Sequence, residues 1–435
     1  MKKIALISHG CAKNLVDSEL ILGLLSKNGY EITLDENEAE TVIINTCSFI
    51  HDAEKESVDS ILEMINEGKK IIIAGCLAQK HGEELKKAIP EISAMIGTTD
   101  LVKIVDVIKR LENGEEYISD VNENPEYIYP ENIERQQITM GSGSYIKIAD
   151  GCNYRCSYCI IPYLRGDYRS RKIEDIVSEA KTLVKKGVTE IILIAQDTTA
   201  YGVDLYKKPM LSELLRELNK IENLGWIRIM YAYPTQMTDE LLDTIAECDK
   251  VVKYVDIPLQ HSHPDVLKRM NRPAFDYREM IANIRKHVPD IAIRTAFIVG
   301  YPGETEEEFE HLYNFVKDMR FNKMGVFEYS REKGTPSYDM KPQISQKVMH
   351  ARYKKLMELQ QGISREVNES FIGKVMPCII ENFTDDGYVV ARTQNDAPEV
   401  DGVVYIKTDE QLVPGDIENI KITSCDEYDL IGELE

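Results

Sequence analysis

Long apolar runs are missing from this 435-residue sequence, and none approaches the roughly 20 residues that a membrane helix needs. The N-terminus MKKIALISHGC starts basic, but its apolar run, Ile4–Ile7, is too short for the core of a secretory signal and reads as a first strand. A cytoplasmic protein is therefore expected. Glycine and proline are modest, at 25 and 16 residues, and there is no low-complexity tract or internal repeat, which excludes fibrous and disordered classes. The Ser/His and paired-carboxylate signatures of polar acid–base catalysis are also missing. Positive charge is scarce at the C-terminal end, where residues 371–435 hold four basic side chains against fifteen acidic ones. That segment carries half of the chain's net charge of −22, and a surface of that sign repels phosphate backbones and attracts basic partners.

What is present divides the chain in three. Lys3–Ser8, Thr41–Thr46 and Lys70–Ala74 are short β-branched runs, followed by helical patterns at Leu15–Asn28, Ala53–Glu67 and Gly82–Ile89. Such alternation predicts an α/β domain with a parallel sheet, residues 1–113. It fades into a polar stretch read as a linker, 114–137. From 138 to 370 the strand–helix theme resumes, with strands expected at Tyr145–Ala149, Glu190–Ala195, Trp226–Tyr231, Lys253–Pro258, Ala292–Val299 and Gly325–Tyr329. Six such units suit a partial, open (βα)6 barrel of the TIM type, closed by a long charged helix from the N-cap candidate Ser345 to Glu369. Residues 371–435 differ: Val375–Ile380, Tyr388–Thr393, Gly402–Ile406 and Ile417–Thr423 are short strands with Asp-Gly turn signals before the second and third, which predicts a small β-barrel.

Nine cysteines in a chain of this class are unlikely disulfides and invite a search for ligand spacing. Gly151-Cys152-Asn153-Tyr154-Arg155-Cys156-Ser157-Tyr158-Cys159 holds three thiols at C-x3-C-x2-C spacing. Three thiolates so close can ligate three irons of a cubane cluster and leave the fourth iron open to chelate S-adenosylmethionine (SAM). A zinc scaffold is the rival, but zinc wants a fourth ligand nearby, and residues 132–179 contain no other Cys or His. The motif also follows the first strand of the barrel-like segment, at the end where such folds place their chemistry.

These residues resemble the radical SAM superfamily. The resemblance implies that Tyr158 lies against the adenine, that Gln196 and Asp197 contact the methionyl group, and that Gln260, His261, Gly300 and Glu304 complete the SAM site at further strand ends. Taken singly, Gln196 reads equally as a capping group and His261 as an ordinary satisfied histidine. His261 and His263 are not expected to form a metal pair.

Cys11, Cys47 and Cys76 are far apart in sequence but share one address, just past the ends of three successive strands of the first domain. Neighbouring parallel strands end on one sheet edge, so the three loops are expected to meet. Small neighbours, Gly10, Ser48 and Gly75, permit close backbone approach. A second 4Fe–4S site is the reading, against three separate buried thiols. Cys248, Cys378 and Cys425 have no partner spacing and read as ordinary small residues.

Two tri-cysteine sets, one in an N-terminal α/β domain and one in a radical SAM barrel, followed by a TRAM-like β-domain from Phe371, resemble the methylthiotransferases along the whole chain. Gly10-Cys11-Ala12-Lys13-Asn14-Leu15-Val16-Asp17, Asn45-Thr46-Cys47-Ser48-Phe49-Ile50 and Asp256-Ile257-Pro258-Leu259-Gln260-His261 are similar to the RimO branch, with Ala12 where Pro is usual and Ser48 where Gly is common. The resemblance implies two 4Fe–4S clusters, SAM as methyl donor and radical source, and a flavodoxin-like reductant. It implies as substrate an aspartate β-carbon of the twelfth small-subunit ribosomal protein, and no catalytic residue beyond the cluster ligands. A basic protein partner fits the acidic tail, whereas a tRNA-binding TRAM domain should be basic. The alternatives are a tRNA adenosine methylthiotransferase and, outside catalysis, an iron–sulfur electron carrier. One arginine of the loop Arg165, Arg169, Arg171 is expected to face the acidic target or the SAM carboxylate.

Overall fold

The computed structural model describes residues 3–122, 135–138 and 141–435. Two compact units make up the chain. The first is built from residues 1–138, 149–171 and 332–335, the second from 139–148, 172–331 and 336–435.

In the first unit six parallel strands form one sheet, in the order Glu31–Thr33, Lys3–Ser8, Thr41–Thr46, Lys70–Gly75, Ala94–Ile96, Ile118–Asp120. Successive side chains of a strand point to opposite faces, and both faces are apolar. Ile4, Ile43 and Ile72 pack with Ile21, Leu25, Ile104 and Ile108. Val42, Ile44, Ile71 and Ile73 pack on the other side with Ile61, Met64 and Leu77. Burial on both faces explains why these strands read as continuous β-branched runs, each isoleucine contributing about 1.5–3 kcal/mol.

Three short strands, two of them at the sheet's edges, were not expected. Glu31–Thr33, Ala94–Ile96 and Ile118–Asp120 have three residues each, too few for a period-2 pattern to show. The last lies inside the expected linker 114–137, so the sheet runs on past Asn113 because buried Ile118 still has a core to join. Residues 123–134 of that linker lie outside the described residues. Ala149, expected as the last residue of a barrel strand, instead joins Asp150 in pairing antiparallel with Arg169–Ser170, and 149–171 packs with the first unit rather than with the rest of 138–370.

In the second unit the strands Gly143–Lys147, Glu190–Ile194, Trp226–Ile229, Val251–Asp256, Ala292–Val299 and Lys323–Glu328 form an open parallel sheet in sequence order. Helices alternate with them, and the one at Glu306–Met319 starts with a capping box between Thr305 and Glu308. The long helix Gln346–Glu369 follows Ser345, whose side chain makes no capping bond. Val375–Phe383, Val389–Thr393, Val404–Ile406, Ile417–Cys425 and Leu430–Leu434 then close a five-stranded barrel. The last of these, not expected from sequence, seals it by pairing parallel to Val404–Ile406.

The small barrel is anchored to the sheet through buried charge. Arg228 donates to Glu190 at 2.7 Å and to the Gln394 carbonyl at 2.9 Å. Arg392 closes on the same Glu190, Lys323 meets Asp396 at 2.6 Å, and Arg294 bridges Asp256 and Asp401. Burial pushes the Glu190 carboxyl up, but the two guanidinium groups outweigh it and hold it below its ordinary value. Among the described residues, no helix is long and apolar enough to cross a membrane.

Candidate functional site

The three N-terminal cysteines sit where neighbouring parallel strands end. Cys11 is the N-cap of helix Ala12–Lys27, Cys47 directly follows strand Thr41–Thr46, and Cys76 is the first residue of helix Cys76–Ala88. Two of the three thiols therefore stand at helix N-termini, whose partial positive charge favours thiolate. Cys47 and Cys76 are buried and Cys11 is exposed. Backbone geometry admits no side chain beside them. Gly10 has φ +92°, and a Cβ there would lie 2.7 Å from the Cys47 Cβ and 2.9 Å from its sulfur. Gly75, at φ +89°, would meet Asn45 Oδ1 at 2.4 Å. Ser57 braces Cys47 by accepting its N–H and donating to its carbonyl, both at 3.0 Å. Asn14 ties the first two loops together by donating to the carbonyls of His9 and Thr46, each at 3.0 Å.

The sulfurs are close enough to feel one another. Burial pushes the Cys76 thiol up to about 12, Arg165 pulls it back, and Cys11 and Cys47 push it further up. Burial and Cys11 likewise raise Cys47. Cys11 is held low because Lys13, Arg165 and the N–H groups of Asn14 and Lys13 outweigh desolvation. Two buried sulfurs beside an exposed one, repelling one another when ionised, are a donor set that cations stabilise, and soft sulfur ligands suit iron–sulfur clusters.

The second set lies in the loop between Ala149–Asp150 and Arg169–Ser170. Cys156 is buried, while Cys152 and Cys159 are half-buried. The loop is tight: Gly151 has φ +81°, and a Cβ there would lie 2.1 Å from the Asp167 carbonyl. The Cys152 N–H donates to the Gly166 carbonyl at 3.1 Å and the Cys159 N–H to that of Cys156 at 2.9 Å. Arg155, at φ 52°, pairs with Asp167 at 2.6 Å, and Asn153 accepts from the Tyr168 N–H.

Arg165 belongs to both neighbourhoods. It is 2% exposed and reaches Asn14 Oδ1 at 2.7 Å, Asp17 at 3.1 Å and Asp150 at 3.0 Å. Its fork is thus spent on buried groups, so Arg165 is not the arginine of this loop that faces a substrate or SAM. Arg169 also turns inward, donating to the carbonyls of Arg165 and Asp167. Asn14, Asp17 and Arg165 were invisible as a group in the sequence, because only the fold brings the first helix against the cysteine loop.

The other expected residues divide by exposure. Tyr158, in the first unit, is half-buried, as are Gln196 and Gln260 in the second. Gln260 holds φ 71°, with its backbone bonded to the neighbouring strand at Ala296 and Ile298. Asp197 is fully buried, and its Oδ1 accepts from Thr199 and from the Ala200 N–H, shaping its own turn. Glu304 is buried and accepts from the N–H groups of Gly300 and Tyr301 at 2.5 and 3.0 Å, so it holds the glycine-bearing loop in place. Burial pushes its carboxyl up to about 7 and the nearby His261 imidazole down to about 3. His263 lies near Asp265 and Glu308, but Arg269 already grips Glu308 at 2.7 and 2.9 Å.

A parallel open barrel preceded by an α/β domain, with a C-x3-C-x2-C loop, defines a radical SAM fold. Residues 146–316 match the radical SAM superfamily, 3–97 the uncharacterized protein family UPF0004 and 372–434 the TRAM domain. A solved radical SAM methyltransferase, TsrM from Kitasatospora setae, shares the fold at TM-score 0.57 and 13% identity, over 89% of this chain and 82% of that one. The chain is 52% identical over the full length of both sequences to the ribosomal protein uS12 methylthiotransferase RimO of Thermoanaerobacter sp. (strain X514). It is 47% identical to that of Prochlorococcus marinus (strain MIT 9215), over all of this chain and 96% of the other. The chain belongs to the RimO family of uS12 methylthiotransferases, within the radical SAM enzymes.

Proposed function

We propose that this enzyme transfers a methylthio group to the β-carbon of an aspartate in ribosomal protein uS12. The observation that carries the reading is the pair of three-cysteine sets in one compact unit, with Arg165 touching the surroundings of both. Cys152, Cys156 and Cys159 would hold one 4Fe–4S cluster, and Cys11, Cys47 and Cys76 the other. When bound, the clusters and SAM supply the electron, the sulfur, the methyl group and the 5′-deoxyadenosyl radical.

The chain's own residues do the rest. Gly10 and Gly75 clear space beside the sulfurs, and Asn14 and Ser57 fix the loops. By the family resemblance Tyr158, Gln196, Gln260 and the loop Gly300–Glu304 bind SAM; Glu304 holds its own loop, Asp197 its own turn, and His261 accepts from the His263 N–H. The division into an N-terminal α/β domain, here extended through Asp120, a radical SAM core to 370 and a β-domain at 371–435 belongs to the same reading, as does a cytoplasmic location.

The acidic β-domain favours a basic protein substrate over tRNA. Asp396 and Asp401 are spent on Lys323 and Arg294, but Asp385, Asp386, Glu399, Asp409, Glu410 and Asp416 remain exposed. A flavodoxin-like protein is the proposed reductant. Mass spectrometry of ribosomal proteins from a deletion strain tests the function. Loss of one methylthio group from uS12, restored by the gene, is expected, whereas unchanged uS12 with a lost tRNA nucleoside modification overturns it.

A further inference from the structure

The reach of Arg165 goes further than bracing. Its Nη2 and the Cys76 sulfur share one acceptor, Asn14 Oδ1, at 2.7 and 4.0 Å. Cys76 packs against Ile160 and Leu164 of the same loop. One residue on, the Gly166 carbonyl accepts from the Cys152 N–H. Thr98 fastens the loop from the sheet side, donating to the Leu164 carbonyl at 2.6 Å. Arg165 thus carries a buried positive charge beside one thiol set on a backbone that braces the other.

We infer that Arg165 is a positioning residue that sets the reduction potential of the centre held by Cys11, Cys47 and Cys76, balanced by Asp17. This rests on the proposed function, which places a cluster there. Adding an electron to a thiolate-bound cluster adds negative charge, so a buried cation beside it favours the reduced form and a buried carboxylate opposes it. Arg165 pairs with both Asp17 and Asp150, yet removing the guanidinium and removing the Asp17 carboxylate must shift the potential in opposite directions. A purely mechanical brace has no such signature, because losing either partner would loosen the crevice alike.

The test uses the full chain with Cys152, Cys156 and Cys159 changed to Ala, reconstituted anaerobically so that it carries about four irons and titrated potentiometrically with EPR detection. Arg165→Met is expected to shift the midpoint negative, Asp17→Asn to shift it positive, and Arg165→Lys to stay near the parent. Should Arg165→Met fail to fold, the Asp17→Asn and Arg165→Lys pair decides. Shifts of the same sign in Arg165→Met and Asp17→Asn, or a fully loaded Arg165→Met or Asp17→Asn at the parent potential, overturn the role of Arg165 alone. A parent that binds no iron at all overturns the proposed function, and this inference with it.

Discussion

Tyr254, from the fourth strand of the open sheet, donates its phenolic proton to Asp401 of the small β-barrel at 2.7 Å. Both groups are almost wholly buried, and Arg294 leans on the same carboxylate at 3.4 Å. Asp401→Ala strands a buried hydroxyl and part of a buried guanidinium, so it should lower unfolding free energy by about 2–4 kcal/mol. Urea denaturation of the apoprotein measures this, and iron uptake by the folded variant should be unchanged.

Gly10→Ala tests the steric opening beside Cys47. The φ of +92° alone costs an alanine about 1–3 kcal/mol, and the new methyl has nowhere to go but toward the sulfur. Iron should fall from about eight to about four per chain, by colorimetric analysis, while Gly29→Ala, at a similar φ of +84° but with open space around it, should lose stability without losing iron.

The two cysteine sets should separate by assay. Cys156→Ala is expected to abolish formation of 5′-deoxyadenosine from SAM and to remove about half the iron. Cys76→Ala should keep some SAM cleavage yet give no thiolated uS12. A Cys76→Ala enzyme that makes product at the normal rate would remove the N-terminal set from the mechanism.

Glu54 gives a pH signature. Its carboxyl is held down at about 2, first by His81, with Lys80 and Ser48 adding to the pull. Because the folded value lies below the ordinary 4.5, the stabilisation is present above that pH and is lost as pH falls through about 2. Apoprotein with Glu54→Gln should be less stable by about 1 kcal/mol near neutrality, and the gap to the parent should narrow below about pH 4. Thermal melts across that range check it.

The parts legible from sequence were those with a local pattern. Isoleucine-rich strands, a tight cysteine motif and cysteines just past strand ends all announce themselves within a dozen residues. Three-residue strands such as Ala94–Ile96 do not, because their stability comes from neighbours already in place. The final strand Leu430–Leu434 was missed for the same reason: Gly432 and Glu433 break its apolar run, and only barrel closure reveals it. Which arginine of the loop turns inward was not legible, because the partners of Arg165, Asp17 and Asp150, are brought to it only by the fold, the former from 148 residues away. Asp197 and Glu304 stand at the expected strand ends, and each gives one carboxylate oxygen to its own loop.

One unit of this fold is assembled from three stretches of chain, and its buried Lys80 finds Glu332 only 252 residues later. On a translating ribosome the N-terminal sheet emerges long before that partner does. Until then Lys80 has Glu54 alone as its counter-ion, and a truncated product ending before Glu332 never gains the second carboxylate.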